Sequence, residues 1–209
     1  MIQTAATMRL IYCILFTIIS YGTFSQTNGS GTLISGGISR SFVFHLPANA
    51  PNCHLPLLLV YHGDGGTGAG IQSYSGFDAL ANTQNFIVVY PNSTTIWGTQ
   101  QWNKYADNQP GFAPSGETNA ADDIQFTSDL IDYFANNYAI NRNRVYATGH
   151  SGGGFMCFFL SIALNNKIAA IAPVAGSVWG EDNYLNAYFG NANSVKIPVL
   201  DVHGTADNV

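Results

Sequence analysis

The chain has 209 residues, enough for one globular domain with or without a tail. Seven Lys and Arg stand against twelve Asp and Glu, and charged residues make up only 9% of the sequence, against about 25% in an ordinary soluble domain. So few, unclustered cations exclude a phosphate-tracking nucleic-acid surface. A hydrophobic content of 46% excludes intrinsic disorder, and three cysteines are too few for a disulfide scaffold or a four-cysteine zinc site.

The first 25 residues read as a secretory signal. Arg9 precedes an apolar run from Leu10 to Ile19, and Thr23-Phe24-Ser25 offers small residues before a cut at Gln26. The run is shorter than the roughly 20 residues a bilayer requires, so no membrane anchor is expected after cleavage and the protein is expected outside the cytoplasm. Cleavage removes Cys13. Cys53 and Cys157 could then pair in an oxidising compartment or remain separate buried thiols.

From residue 26 onward, strand and helix patterns alternate. Thr32–Ile34 and Ile38–Leu46, joined by Gly36-Gly37, predict an antiparallel hairpin. Leu55–Tyr61 is a continuous apolar run, expected of a strand buried on both faces. Gly76–Asn85 predicts a helix with Phe77, Leu80 and Ala81 inward, and Phe86–Tyr90 a strand stopped by Pro91. Asn92–Glu117 reads as a long irregular loop carrying Trp97, Trp102, Tyr105 and Phe112, which could stack on a substrate ring or anchor the loop. Asp122–Asn137 reads as a helix, with Ile124, Ser128, Ile131 and Phe134 near 3.6 spacing. Arg144–Thr148 (strand), Ser151–Leu164 (helix), Ile168–Val174 (strand), a polar stretch 179–194 and a last strand Val199–His203 follow. A hairpin followed by repeated strand–helix units predicts a mostly parallel, three-layer α/β sheet.

Three segments carry chemistry. Gly149-His150-Ser151-Gly152-Gly153 lies between a strand and a helix. A nucleophilic serine there needs a turn so tight that flanking Cβ atoms would clash, which glycines remove; the competing reading is a glycine-rich helix start. His62-Gly63-Asp64-Gly65-Gly66 follows the buried strand. The amide of Asp64 or Gly65 could join that of Gly152 to hold a tetrahedral oxyanion. Gly63-x-Gly65-x-x-Gly68 also matches a dinucleotide fingerprint, but the next strand ends in Tyr90-Pro91-Asn92 without the ribose-binding carboxylate. No cofactor is expected. His62 is read as a hydrogen-bonded brace of the turn. Third, Asp207 in His203-Gly204-Thr205-Ala206-Asp207 could orient a histidine, or merely cap a turn. Asp122-Asp123 is read as a helix cap, and the histidines lack metal-ligand spacing, so no metal is assigned.

Taken in order, these segments resemble the secreted α/β-hydrolase esterases grouped around poly(3-hydroxybutyrate) depolymerases and feruloyl or acetylxylan esterases. The resemblance runs from Arg40-Ser41-Phe42 and Leu46-Pro47-Ala48-Asn49 through Pro56–Gly63, Gly76–Ala81, Phe86–Asn92, Trp102-Asn103 and Asp122-Asp123-Ile124. It continues in Asn143–Tyr146, the serine turn, Ile168–Gly176 and His203–Asp207. It implies Ser151 as nucleophile, Asp207 as triad acid and the amides of Asp64 and Gly152 as oxyanion hole, with an ester, polysaccharide-linked or polyester, as substrate. It also implies a catalytic histidine downstream of the acid, whereas the sequence stops two residues after Asp207. The expectation is therefore a C-terminally incomplete esterase domain over 26–209, lacking the last strand and helix of the fold. The alternative is a non-catalytic binding protein on the same scaffold.

Overall fold

The computed structural model describes residues 27–48, 54–103, 121–177 and 195–207. The signal-like terminus, Cys53, Tyr105, Phe112 and the stretch 179–194 lie outside the described residues.

Strands β1 (Thr27–Ser35) and β2 (Ile38–Leu46) form the expected antiparallel hairpin, in register from Thr27 opposite Leu46 to Ser35 opposite Ile38. Gly36 and Gly37 turn it, both at positive φ, as a two-residue hairpin loop requires. Then come β3 (Leu55–Tyr61), α1 (Gly68–Ser75), α2 (Phe77–Gln84), β4 (Ile87–Pro91), β5 (Thr94–Ile96), β6 (Thr99–Gln101), α3 (Asp123–Tyr138), β7 (Ile140–His150), α4 (Gly152–Ala163) and β8 (Ala170–Val174). The main sheet runs β1-β2-β4-β3-β7-β8, parallel from β4 to β8, with β2 joining β4 antiparallel.

Two-residue alternation along β3 divides the core. Leu57, Leu59 and Tyr61 face α3 and α4, packing with Phe126, Leu130, Phe134, Met156 and Leu160. Leu58 and Val60 face the opposite way, toward Ile71 of α1 and Ala81 of α2. Helices thus cover both faces, giving the three layers expected. Cys157 is a free, fully buried thiol in α4, and burial pushes its pKa far above the ordinary range.

Several expectations change. Helix α1 was not anticipated; it starts with Thr67 accepting a hydrogen bond from the Gly70 amide at 3.0 Å. In α2, Ala81 is buried but Leu80 is 47% exposed, because this short helix touches the sheet along a narrow line. In α3 the fully buried positions are Phe126, Thr127, Leu130 and Phe134 beside Ile131, while Ile124 and Ser128 are only partly covered. The segment after Pro91 is not all irregular: β5 and β6 pair antiparallel around Trp97-Gly98. Val199–His203 is no continuous strand. Val199 and Val202 make single parallel bridges to Ile171 and Val174, and Val199, Leu200 and Val202 are about half exposed or more.

Candidate active site

Parallel strands end their chains on one side of a sheet, and in open α/β sheets ligands bind there. Tyr61 pairs with Gly149, His150 pairs with Val174, and Val174 bridges Val202. The segments after β3, β7, β8 and Val202 therefore lie at the same end, which brings together the three segments singled out in the sequence.

Ser151 sits between β7 and α4 with φ 53° and ψ −119°, a backbone state L-residues seldom adopt. A serine at a helix start ordinarily caps the free amides. Ser151 makes no side-chain cap bond. Its carbonyl instead accepts from the Gly154 amide at 2.7 Å, and its own amide donates to Val174 O at 2.9 Å. The turn is held by backbone, and the hydroxyl takes no part in holding it. Gly152 and Gly153 open α4, where amides have no intrahelical acceptor.

Glycine is required at the base of this turn. A Cβ on Gly153 would lie 2.8 Å from the His62 carbonyl oxygen, 2.6 Å from the Tyr61 carbonyl carbon and closer still to the Tyr61 oxygen. One on Gly149 would lie 2.5 Å from the Gly153 carbonyl oxygen. The serine turn is thus pressed directly onto the end of β3. Gly63 faces it: a Cβ there would stand 3.4 Å from Ser151 Cβ and 3.2 Å from the His150 carbonyl.

The bend 62–66 is fastened from several sides. Within it the Gly65 amide donates to Gln100 O at 2.6 Å and the Gly66 amide to Gly63 O at 2.9 Å. Of the two oxyanion amides considered from the sequence, that of Gly65 is thereby committed to β6. His62 is the brace it was read as. Its Nδ1–H donates to Gly63 O at 2.7 Å, and its Nε2 accepts from the Ser93 amide at 3.2 Å, so the ring is neutral with the proton on Nδ1. Burial pushes its pKa below the ordinary 6.5. The unfolded chain consequently binds a proton that the fold rejects, and stability is lost as pH falls below 6.5 and regained on return. Thermal melting across that window should show the loss, and His62→Gln should flatten it.

For Trp102 the geometry favours the anchoring alternative over the stacking one. Trp102 is fully buried, with Nε1 donating to His62 O at 2.8 Å and its ring edge-on to Tyr61 at 5.0 Å. It anchors the bend rather than receiving a substrate ring. Trp102→Ala is expected to cost about 3–5 kcal/mol and Trp102→Phe less, measured by urea unfolding. Trp97 is 52% exposed at the tip of the β5–β6 turn, and Tyr105 lies outside the described residues.

Asp207 lies past the bridge at Val202, with Oδ2 3.5 Å from Nε2 of His203. His203 Nδ1 is 3.9 Å from Asp201. His45 bonds Asn28 and Asn82 in the interior, and among the described residues no histidine is hydrogen-bonded to Ser151. The partners that fasten the bend were not visible in the sequence. Ser93, Gln100 and Trp102 lie 31 to 40 positions from His62 or Gly65, too far for any local pattern to announce them.

The strained serine turn, the glycine bend against it and the mostly parallel sheet define an α/β-hydrolase. Residues 48–209 match the phospholipase/carboxylesterase family, and the chain belongs to that family of carboxylic-ester hydrolases. It is 32% identical, over 83% of its length, to a bifunctional acetylxylan esterase/xylanase of Neocallimastix patriciarum, and 29% identical, over 78%, to poly(3-hydroxyalkanoate) depolymerase C of Paucimonas lemoignei. It spans only 22% and 37% of those two proteins. In fold it is similar to an S-formylglutathione hydrolase from Agrobacterium tumefaciens (TM-score 0.69, 14% identity, 90% of this chain and 78% of that one). It is also similar to a feruloyl esterase module from Clostridium thermocellum (TM-score 0.65, 15% identity, 87% and 68%).

Proposed function

We propose that the protein is a secreted serine esterase in which Ser151 attacks an ester carbonyl and carries the acyl group until water removes it. The supporting observation is the Ser151 turn itself: a positive-φ serine at a helix start, its hydroxyl unused for capping, pressed against the glycine bend after β3. Attack places negative charge on the former carbonyl oxygen. In this reading the amides of Asp64 and Gly152 receive it, and each such donor lowers the barrier by about 3–4 kcal/mol.

In this reading Asp207 is the acid that orients the general base, a histidine placed after the acid in the chain order that α/β-hydrolases follow. Without that base the serine hydroxyl is a weak nucleophile at neutral pH. The named activities of the relatives point to feruloyl or acetyl esters of polysaccharides, or to hydroxyalkanoate polyesters, and Trp97 offers an exposed ring near β6 for an aromatic or sugar group. Among the described residues no helix is long and apolar enough to cross a membrane, and the apolar run 10–19 with its small-residue cut supports export.

The test compares p-nitrophenyl acetate hydrolysis by the 209-residue chain and by the chain extended downstream, followed by methyl ferulate, acetylxylan and hydroxybutyrate oligomers. The extended protein should turn over and the 209-residue chain should not. Turnover by the shorter chain that Ser151→Ala abolishes would overturn the assignment of the base; an inert extended protein would overturn the esterase and leave a binding protein on this fold.

A further inference from the structure

Asp123 and Arg40 form a buried ion pair that takes no part in acyl transfer. Both side chains are at most 2% exposed, with Arg40 Nη2 2.5 Å from Asp123 Oδ1. Arg40 also donates to Asn92 O at 3.2 Å and lies 4.0 Å over the Phe126 ring. Burial pushes the Asp123 carboxyl up in pKa and the adjacent guanidinium opposes this. Such a pair is poor evidence for stability, since apolar side chains of similar volume often serve as well or better. Its use lies in what the second carboxylate oxygen holds.

Asp123 Oδ2 accepts from the Asn103 amide at 2.6 Å. That bond fixes the backbone directly after Trp102, whose indole donates to His62 O and packs on the rings of Tyr61 and His62. A second route leaves the same turn of α3. Thr127 Oγ1 donates to Asp123 O at 2.8 Å and meets the Tyr61 hydroxyl at 2.9 Å. The first route ends on Tyr61 and His62 and the second on Tyr61, the residues that lead into Gly63-Asp64.

We propose that Asp123, held in place by Arg40, is a positioning residue that sets the bend 62–66 against Ser151. The catalytic consequence rests on the esterase reading above; the structural consequence does not. A charged acceptor holds the Asn103 amide in one place more strongly than a neutral one, and a catalytic group displaced by about an ångström can lose about a hundredfold in rate.

Two variants test this: Asp123→Asn, which keeps the shape, and the double variant Arg40→Met/Asp123→Leu, which fills the space with apolar atoms. Hydrogen exchange of residues 62–68 in the 209-residue chain, referred to the β1–β2 hairpin, reads the bend without requiring activity. Exchange there should quicken about tenfold in both variants while the double variant melts near the wild type. In the extended chain, kcat should fall about a hundredfold with KM within about twofold. Unchanged exchange at 62–68 in Asp123→Asn would overturn the proposal, and so would a double variant that recovers wild-type exchange together with its melting temperature. If the unmodified extended chain hydrolyses nothing, the esterase reading falls, and the exchange result alone still decides whether Asp123 holds the bend.

Discussion

Gly153→Ala is expected to prevent folding. The added Cβ would meet the carbonyl groups of Tyr61 and His62 at distances no real Cβ occupies. The three nearest atoms are all backbone, so no side-chain rotation relieves the clash. Gly149 backs onto Gly153, and β3 is central in the sheet between β4 and β7. Relief would require α4 to lift off β3, opening the contacts of Met156 and Leu160 with the main core. A cost above about 4 kcal/mol is exceptional for one substitution and comparable to the whole stability of many domains, about 5–15 kcal/mol. Circular dichroism and urea unfolding check it. A variant melting within a few degrees of the wild type would show that serine turn and strand are not packed as described.

Ser151→Ala should abolish esterase turnover in the extended chain, by about 10⁴-fold or more, and leave stability nearly unchanged. The hydroxyl makes no cap bond, so removing it strands no partner. Ser151→Gly separates the two roles further. At φ 53° and ψ −119° a side chain is held under strain of about 1–3 kcal/mol, which glycine escapes. The glycine variant should therefore be inactive and more stable than the wild type, a direct trade of stability for function at the nucleophile. A destabilised Ser151→Gly would contradict the strained geometry even if activity were lost.

The legible parts of this fold are those written in local pattern. Leu55–Tyr61 announces a central strand because both faces are apolar, and Gly149 and Gly153 announce the serine turn because close backbone contact admits nothing larger. Helix α1 is silent in sequence. Its residues Gly68–Ser75 bury only Ile71 besides a glycine, leaving no periodicity to detect. The β5–β6 hairpin hides in three-residue strands whose only signal is the turn at Trp97-Gly98. Leu80 was misplaced because helical spacing locates a stripe without saying how wide a surface it meets. Trp102 and Asp123 could not be resolved locally, since their partners His62 and Arg40 lie 40 and 83 positions away. Asp122 caps α3 as its position suggests, through the Gln125 amide, whereas its neighbour Asp123 turns inward.

The most direct measurement incubates the extended chain with diethyl p-nitrophenyl phosphate, a mimic of the tetrahedral intermediate, and locates the label by tandem mass spectrometry. One diethylphosphoryl group on Ser151, formed in step with loss of hydrolysis, is the predicted result. Hydrolysis that survives full labelling of Ser151, or stoichiometric labelling at another residue, would contradict its role as nucleophile.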